Sequence, residues 1–83
     1  MSEDPRARIV DRLMGEILGY VVAEFLPRAD PATWDRMDGP DRAMTAAIGA
    51  FERGELSYDG LEAAGVAYVE AWERVVTRSS SQR

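Results

Sequence analysis

The chain has 83 residues, which suffices for one small domain near the lower size limit for a core that folds alone. It contains no cysteine and no histidine, so disulfides, thiolate metal sites and the usual general base are excluded. The net charge is −5 and all ten basic residues are arginine. We therefore expect a protein that is not an enzyme and that holds no metal and no cofactor.

The first predicted helix covers about residues 5–26. Asp4 and Pro5 are typical of a helix start, because Asp caps free backbone N–H groups and Pro suits the first helical position. Pro27 is expected to end the helix near Leu26. Apolar residues recur on one arc at helical spacing, at Val10, Leu13, Met14, Ile17, Val21 and Phe25.

Two further helices are predicted between about residues 31 and 53. The same Asp-Pro pair precedes a short helix near residues 31–37. The run Met-Asp-Gly-Pro then indicates a break, and Pro40 begins a longer helix over about 40–53. The apolar stripe of that helix consists of Met44, Ala47, Ile48 and Phe51.

The last helix is predicted over about residues 57–78. Gly54 suits the left-handed position after the preceding helix, and Ser57 suits the N-cap. We expect residues 1–4 to fray and the polar tail 79–83 to be disordered. The sequence thus predicts a single all-α domain, a small bundle of three main helices plus a short connecting one. The apolar face of the last helix comprises Leu61, Ala64, Gly65, Tyr68, Trp72, Val75 and Val76.

The first helix is apolar on more sides than one buried stripe requires. Gly15, Gly19 and Ala23 lie one turn apart opposite the stripe, together with Val22 and Leu26. Each glycine costs about 0.8–1 kcal/mol relative to alanine, so we expect a helix of the same chain or of a second copy to pack there. With only two other long helices available, we favour a symmetric homodimer. The alternative is that a hydrated surface simply tolerates two glycines.

Two other features of the first helix need an interpretation. Ile9 and Tyr20 extend the apolar arc on one flank, and Leu18 extends it on the other. Glu24 falls inside the arc at helical spacing. Because a buried lone carboxylate is costly, we expect Glu24 to reach solvent or Arg28 near the helix end. We identify no second acid and no nucleophile beside Glu24, so we do not expect it to be catalytic.

The aromatic residues are interpreted mainly as core. Tyr68 and Trp72 lie within the apolar face of the last helix, which favours packing over a cofactor pocket. Trp34 lies in a loop-like segment, where it either covers the core or anchors a partner, and the first role is favoured.

The third and fourth helices, with Gly54 between them, have the outline of a helix-turn-helix. The supposed recognition helix would present Asp59 and Glu62 to DNA, with no arginine before Arg74. Specific readers use basic and amide side chains, and phosphates would repel these acids. We therefore do not expect direct DNA binding. The acids near residues 30–41 lack the spacing of a calcium loop, and Ser57 lacks the Asp-Ser-Leu order of carrier proteins.

Negative charge is concentrated in residues 30–62, which hold eight acids and three arginines, whereas the rest of the chain has seven of each. We predict a small acidic helical interaction or regulatory module that binds a protein partner, for which a basic surface would suit. The alternatives are a non-catalytic accessory subunit of a larger assembly and an acidic, antitoxin-like inhibitor. The apolar run 17–26 is about half of a membrane span, so we expect a cytoplasmic protein. The acidic surface candidates are Glu52, Glu55, Asp59 and Glu62.

Overall fold

The computed structural model describes the backbone of residues 4–81 and the side chains of residues 4–77. The described chain contains no strand, which confirms the all-α prediction of three long helices and a short one. A 3-10 turn separates the first two α-helices. In chain order the elements are α1 (Pro5–Glu24), the 3-10 turn (Leu26–Arg28), α2 (Pro31–Arg36), α3 (Asp38–Glu52) and α4 (Tyr58–Ser81).

The expectations for the two ends of the chain fall largely outside the described part. Residues 1–3 and 82–83 are not described, so their predicted fraying and disorder remain predictions. Asp4 lies at the N-cap of α1, and α4 extends to Ser81, three residues beyond the predicted end.

The start and the end of α1 both follow from local chemistry. The Asp4 carboxylate accepts a hydrogen bond from the Arg6 backbone N–H at 2.9 Å, so the predicted cap is confirmed. The helix ends at Glu24, two residues earlier than expected, and the chain tightens into the 3-10 turn that contains Pro27. The Arg28 guanidinium covers the freed Glu24 carbonyl, with its Nη2 at 2.9 Å from the oxygen.

α2 is held by a reciprocal capping box. The Asp30 carboxylate accepts the Thr33 N–H at 2.9 Å, and the Thr33 hydroxyl accepts the Asp30 N–H at 3.2 Å. The hydrogen bond from the Thr33 backbone is the main cause that lowers the pKa of Asp30. These contacts fix the entry to α2 although the helix has only six residues.

α3 begins two residues before the predicted start at Pro40. Proline is tolerated in the first turn of a helix because its missing N–H would have had no intrahelical acceptor there. The Met37 carbonyl accepts the Asp41 N–H at 2.8 Å, so the predicted break is only a corner at Met37. Asp38 and Asp41 lie in the first turn, where the helix dipole favours acids.

The connection between α3 and α4 matches its prediction. Gly54 has a φ of +78°, and its N–H bonds the Phe51 carbonyl at 3.0 Å. The next N–H, of Glu55, bonds the Ala50 carbonyl at 2.8 Å, which completes a Schellman motif. Ser57 then caps α4 by accepting the Gly60 N–H at 3.1 Å.

The core lies where α1, α3 and α4 meet, and the three predicted apolar stripes all contribute to it. Trp72 is at its centre with 1% of its surface exposed. The Phe25 ring stacks parallel to the Trp72 indole at 6.3 Å, and the Trp34 ring meets it edge-on at 5.3 Å. The molecule is elongated, at 52 × 21 × 19 Å. The buried hydrophobic residues are Val10, Ile17, Val21, Phe25, Met37, Met44, Phe51, Leu61, Ala71, Trp72 and Val76.

Candidate functional site: two apolar surfaces of α1

Apolar surface left outside the core is concentrated around α1. Leu18 is 47% exposed and Val22 is 55% exposed on one side of the helix. Tyr20 is 51% exposed on the other side, next to Val66 of α4, which is 54% exposed. A helix that served only this core would bury one stripe and expose polar residues elsewhere. α1 therefore presents exposed apolar side chains on both sides of the stripe that packs inward.

The first surface, which we call the outer face, consists of Gly15, Leu18, Gly19, Val22 and Ala23. All five residues are exposed. Apart from the adjoining residues and backbone of α1 itself, a Cβ atom added at Gly15 or at Gly19 would meet no heavy atom of the described residues within 4 Å. No helix covers this face in the described part of the chain, so the predicted packing of another helix of the same chain against it is wrong. Packing against a second copy stays a prediction.

The two remaining interface candidates lie apart from the outer face. Leu26 follows the end of α1 and is half-buried against the core, because the 3-10 turn interrupts the helical periodicity that placed it opposite the stripe. Trp34 packs edge-on against Trp72 and keeps 51% of its surface exposed. Trp34 thus covers part of the core, which is the role that the sequence favoured.

The second surface, which we call the groove, runs between α1 and α4. It has a volume of about 340 Å³. At its floor the two helices come close, since a Cβ atom added at Gly65 would lie 2.8 Å from Cδ1 of Ile17. The lining residues are Leu13, Glu16, Ile17 and Tyr20 of α1 with Glu62, Gly65, Val66, Val69 and Glu70 of α4.

The edges of the groove are acidic. Glu16 lies on the α1 side, Glu62 and Glu70 lie on the α4 side, and all three are exposed. Among the side chains that the structure describes, no arginine lines the groove. Arg12 lies just outside it, with Nε at 3.9 Å from a carboxylate oxygen of Glu16, and both side chains are well exposed. An exposed ion pair of this kind contributes little free energy. The groove therefore combines an apolar floor with negatively charged edges.

A second depression continues the groove toward the start of α1. Its volume is about 450 Å³, and Leu13 and Glu16 belong to both hollows. Ile9, Arg12 and Tyr58 complete its lining. The groove therefore continues by about one helical turn into a depression that both apolar and charged side chains line.

The four predicted acidic candidates are all exposed, but they do not form one site. Glu52 ends α3, and Glu55 pairs with Arg53 in the turn that follows. Asp59 lies in the first turn of α4, and only Glu62 lines the groove. The sequence analysis missed Glu16 and Glu70. Their signal is an acid beside an apolar stripe, and it becomes informative only when α1 and α4 are known to be neighbours.

Near the core, the polar group of Tyr68 in α4 interacts with Asp41 of α3. Burial is the main cause that raises the pKa of Tyr68, and the Asp41 carboxylate raises it further. The Trp72 indole acts on that pKa in the opposite direction. The buried Nε1 of Trp72 nevertheless has no hydrogen-bond partner within normal geometry among the described residues. These positions agree with the predicted core role of both aromatic side chains.

Glu24 is exposed, as expected. Arg28 does approach it, although the guanidinium bonds the backbone carbonyl and not the carboxylate. The interpretation of Glu24 as a solvated residue near a helix end is confirmed.

Neither a metal site within the described residues nor a similarity to a known protein assigns a function to the chain. Within the described residues, no three or more acidic side chains come together in a way that could hold a metal ion. None of the helices, over their described length, is long and apolar enough to cross a membrane. The chain matches no protein-family model, no curated protein and no solved structure.

Proposed function

We propose that this chain is a small acidic protein-interaction module that acts by binding other proteins and not by catalysis. In this proposal it forms a homodimer through the outer face of α1 and works in the cytoplasm. The observation that carries the proposal is the exposure of Leu18 and Val22, at 47% and 55%, beside two uncovered glycines.

The energetics of the outer face support a protein partner. Complete burial of a leucine or valine side chain contributes roughly 1.5–3 kcal/mol, and Leu18 and Val22 gain only part of this within one chain. Gly15 and Gly19 each cost about 0.8–1 kcal/mol relative to alanine, and no packing contact from the described residues offsets that cost. A second α1 packed across the glycines would bring the two backbones close together and bury both apolar side chains.

A two-fold symmetric pair fits this surface because the same patch then contacts itself. The margin of a single small core is about 3–5 kcal/mol, so association would add usefully to stability. The outer face and the groove lie on different sides of α1. A dimer formed through the outer face would leave the groove open to a different partner.

Sedimentation equilibrium tests the dimer directly. We expect the purified chain to sediment at twice its mass of 9.2 kDa. Gly19→Leu should yield the monomer, because the added side chain has open space in the single chain and would keep a second helix away. Ala63→Leu is the matched control, since it adds the same side chain type at an exposed position of α4 and should leave the dimer intact.

Two outcomes would contradict the dimer. One is a wild-type chain that stays monomeric at the highest attainable concentration, which would instead favour the accessory subunit of a larger assembly. The other is a Gly19→Leu variant with unchanged dimer mass.

A further inference from the structure

We infer that the groove between α1 and α4 binds an amphipathic helix of a partner protein whose apolar stripe is flanked by lysine or arginine. The inference rests on the proposed protein-binding function and specifies the chemistry of the partner at a second surface. It is carried by the juxtaposition of an apolar floor, two exposed apolar walls and three carboxylates.

The dimensions of the groove suit a helix. The α1 wall from Leu13 to Tyr20 is about 10 Å long, and the α4 wall from Glu62 to Glu70 is about 12 Å long. Two turns of a helix fill that length, and the depression beside Ile9 would accommodate a third turn. Only α1 and α4 line the groove, so a helix placed there would pack against both, as in a four-helix bundle.

The apolar residues indicate how such a helix would be held. Ile17 and Gly65 form a floor that a bulky side chain of the partner could reach, and Leu13 and Val69 lie beside them. The half-exposed apolar side chains on the two walls would then pack against that side chain. Helices that bind in grooves use apolar anchors at positions i, i+3 or i+4, and i+7, which matches a groove two to three turns long.

The charges decide which helix fits. Glu16 lies on one edge of the groove and Glu62 and Glu70 lie on the other, and none of the basic side chains described in the structure lines it. A partner with basic side chains on both flanks of its apolar stripe would complement both edges. A second copy that presented the same groove would set carboxylates against carboxylates. The charge pattern therefore favours a different protein over self-association at this surface.

Two synthetic peptides test the inference by fluorescence anisotropy against the purified full chain. Both have 15 residues and the same leucine stripe at helical spacing, and they differ only in the flanks, which are lysine in one and glutamate in the other. We expect the lysine peptide to bind and the glutamate peptide to bind at least tenfold more weakly. Binding of the lysine peptide should also weaken as salt screens the exposed charges.

Variants of the chain locate the binding. Glu62→Gln with Glu70→Gln should weaken binding of the lysine peptide by about 3- to 10-fold, because exposed charge pairs contribute modestly. Asp35→Asn with Glu52→Gln changes the net charge equally at exposed positions outside the groove, and should weaken binding less than about twofold. Val66→Gln replaces an apolar side chain of the α4 wall with a polar one of similar volume, and it should weaken binding by about tenfold.

The inference is overturned if neither peptide binds, if both bind equally, or if the control pair weakens binding as much as the groove pair does. Circular dichroism of each variant shows whether it is folded, and the Glu→Gln pair carries the test if Val66→Gln is not. Equal binding of both peptides would leave the protein-binding function standing and remove only its basic partner. Failure of the proposed dimer is read separately, from the mass of the peptide-free chain in sedimentation.

Discussion

Glycines in two regions of this molecule have opposite surroundings although they look alike in the sequence. Gly65 of α4 packs against α1, and a Cβ atom there would be 2.8 Å from Cδ1 of Ile17. Gly15 and Gly19 of α1 have open space where a Cβ atom would stand. The glycine of α4 is explained by packing inside the chain. Those of α1 are not, and an unexplained cost on an apolar surface is a reason to look for a partner.

The largest expected effect is on stability, and it comes from comparing two adjacent residues of α1, one that packs inward and one on the outer face. Ile17 is 8% exposed and packs toward Gly65, whereas Leu18 lies on the outer face. Ile17→Ala should lower the free energy of unfolding by about 2–5 kcal/mol through the cavity it leaves. Leu18→Ala should change it by less than about 0.5 kcal/mol in dilute, monomeric protein. Urea unfolding followed by circular dichroism measures both, and equal losses would mean that the two sides of α1 are not distinct.

The next effect uses the outer glycines themselves. In dilute protein, Gly15→Ala with Gly19→Ala should raise the free energy of unfolding by about 1.6–2 kcal/mol, since alanine is the better helix former and nothing obstructs its Cβ. At concentrations where the wild type is a dimer, the same pair should weaken association. Chemical unfolding at two protein concentrations separates the effects. A variant that is more stable at both concentrations, with unchanged association, would rule out close packing at the glycines.

A smaller effect on stability tests the contact between Gly65 and Ile17. Gly65→Ala gains helix propensity but pushes against Cδ1 of Ile17, so its net effect on stability should be close to zero. Ile17→Val removes that Cδ1 atom. In the Ile17→Val background, Gly65→Ala should therefore be more favourable by about 0.5–1 kcal/mol, measured as a double-mutant cycle. Additive effects would show that the contact is not restrictive.

The smallest effect concerns the contact between α3 and α4. Burial raises the pKa of Tyr68 above its ordinary value of 10.0, so the folded state holds the phenol proton more tightly than the unfolded chain does. This stabilisation is fully present below pH 10 and is lost as the pH rises through the folded pKa. Tyr68→Phe should reduce the loss of stability in alkaline urea melts. Identical alkaline profiles for Tyr68→Phe and the wild type would contradict this account.

Local signals made most of the fold predictable from the sequence. The caps at Asp4, Asp30 and Ser57 and the left-handed Gly54 depend on neighbours within a few residues, and all four were confirmed. The predicted start of α3 was two residues late, because Pro40 is compatible with several positions in a first turn.

The surfaces were harder to predict because they depend on which helices are neighbours. The periodicity of α1 identified the outer face, but whether α3 or α4 covered it could not be known without the packing. The groove was missed entirely, since Glu16 and Glu70 are 54 positions apart in the sequence and line one groove only because α1 and α4 are neighbours. Leu26 was misplaced because helical periodicity was extended past the end of α1.

Site-specific photo-cross-linking tests the central claim, that α1 binds proteins at two separate apolar surfaces. A photoreactive phenylalanine would replace Val22 on the outer face or Val66 in the groove, in purified protein with the lysine peptide present. We predict that Val22 yields an adduct of twice 9.2 kDa, and that Val66 yields a peptide adduct and no self-adduct. A chain that forms no self-adduct from Val22, or that cross-links to its own copy from Val66, would contradict the account.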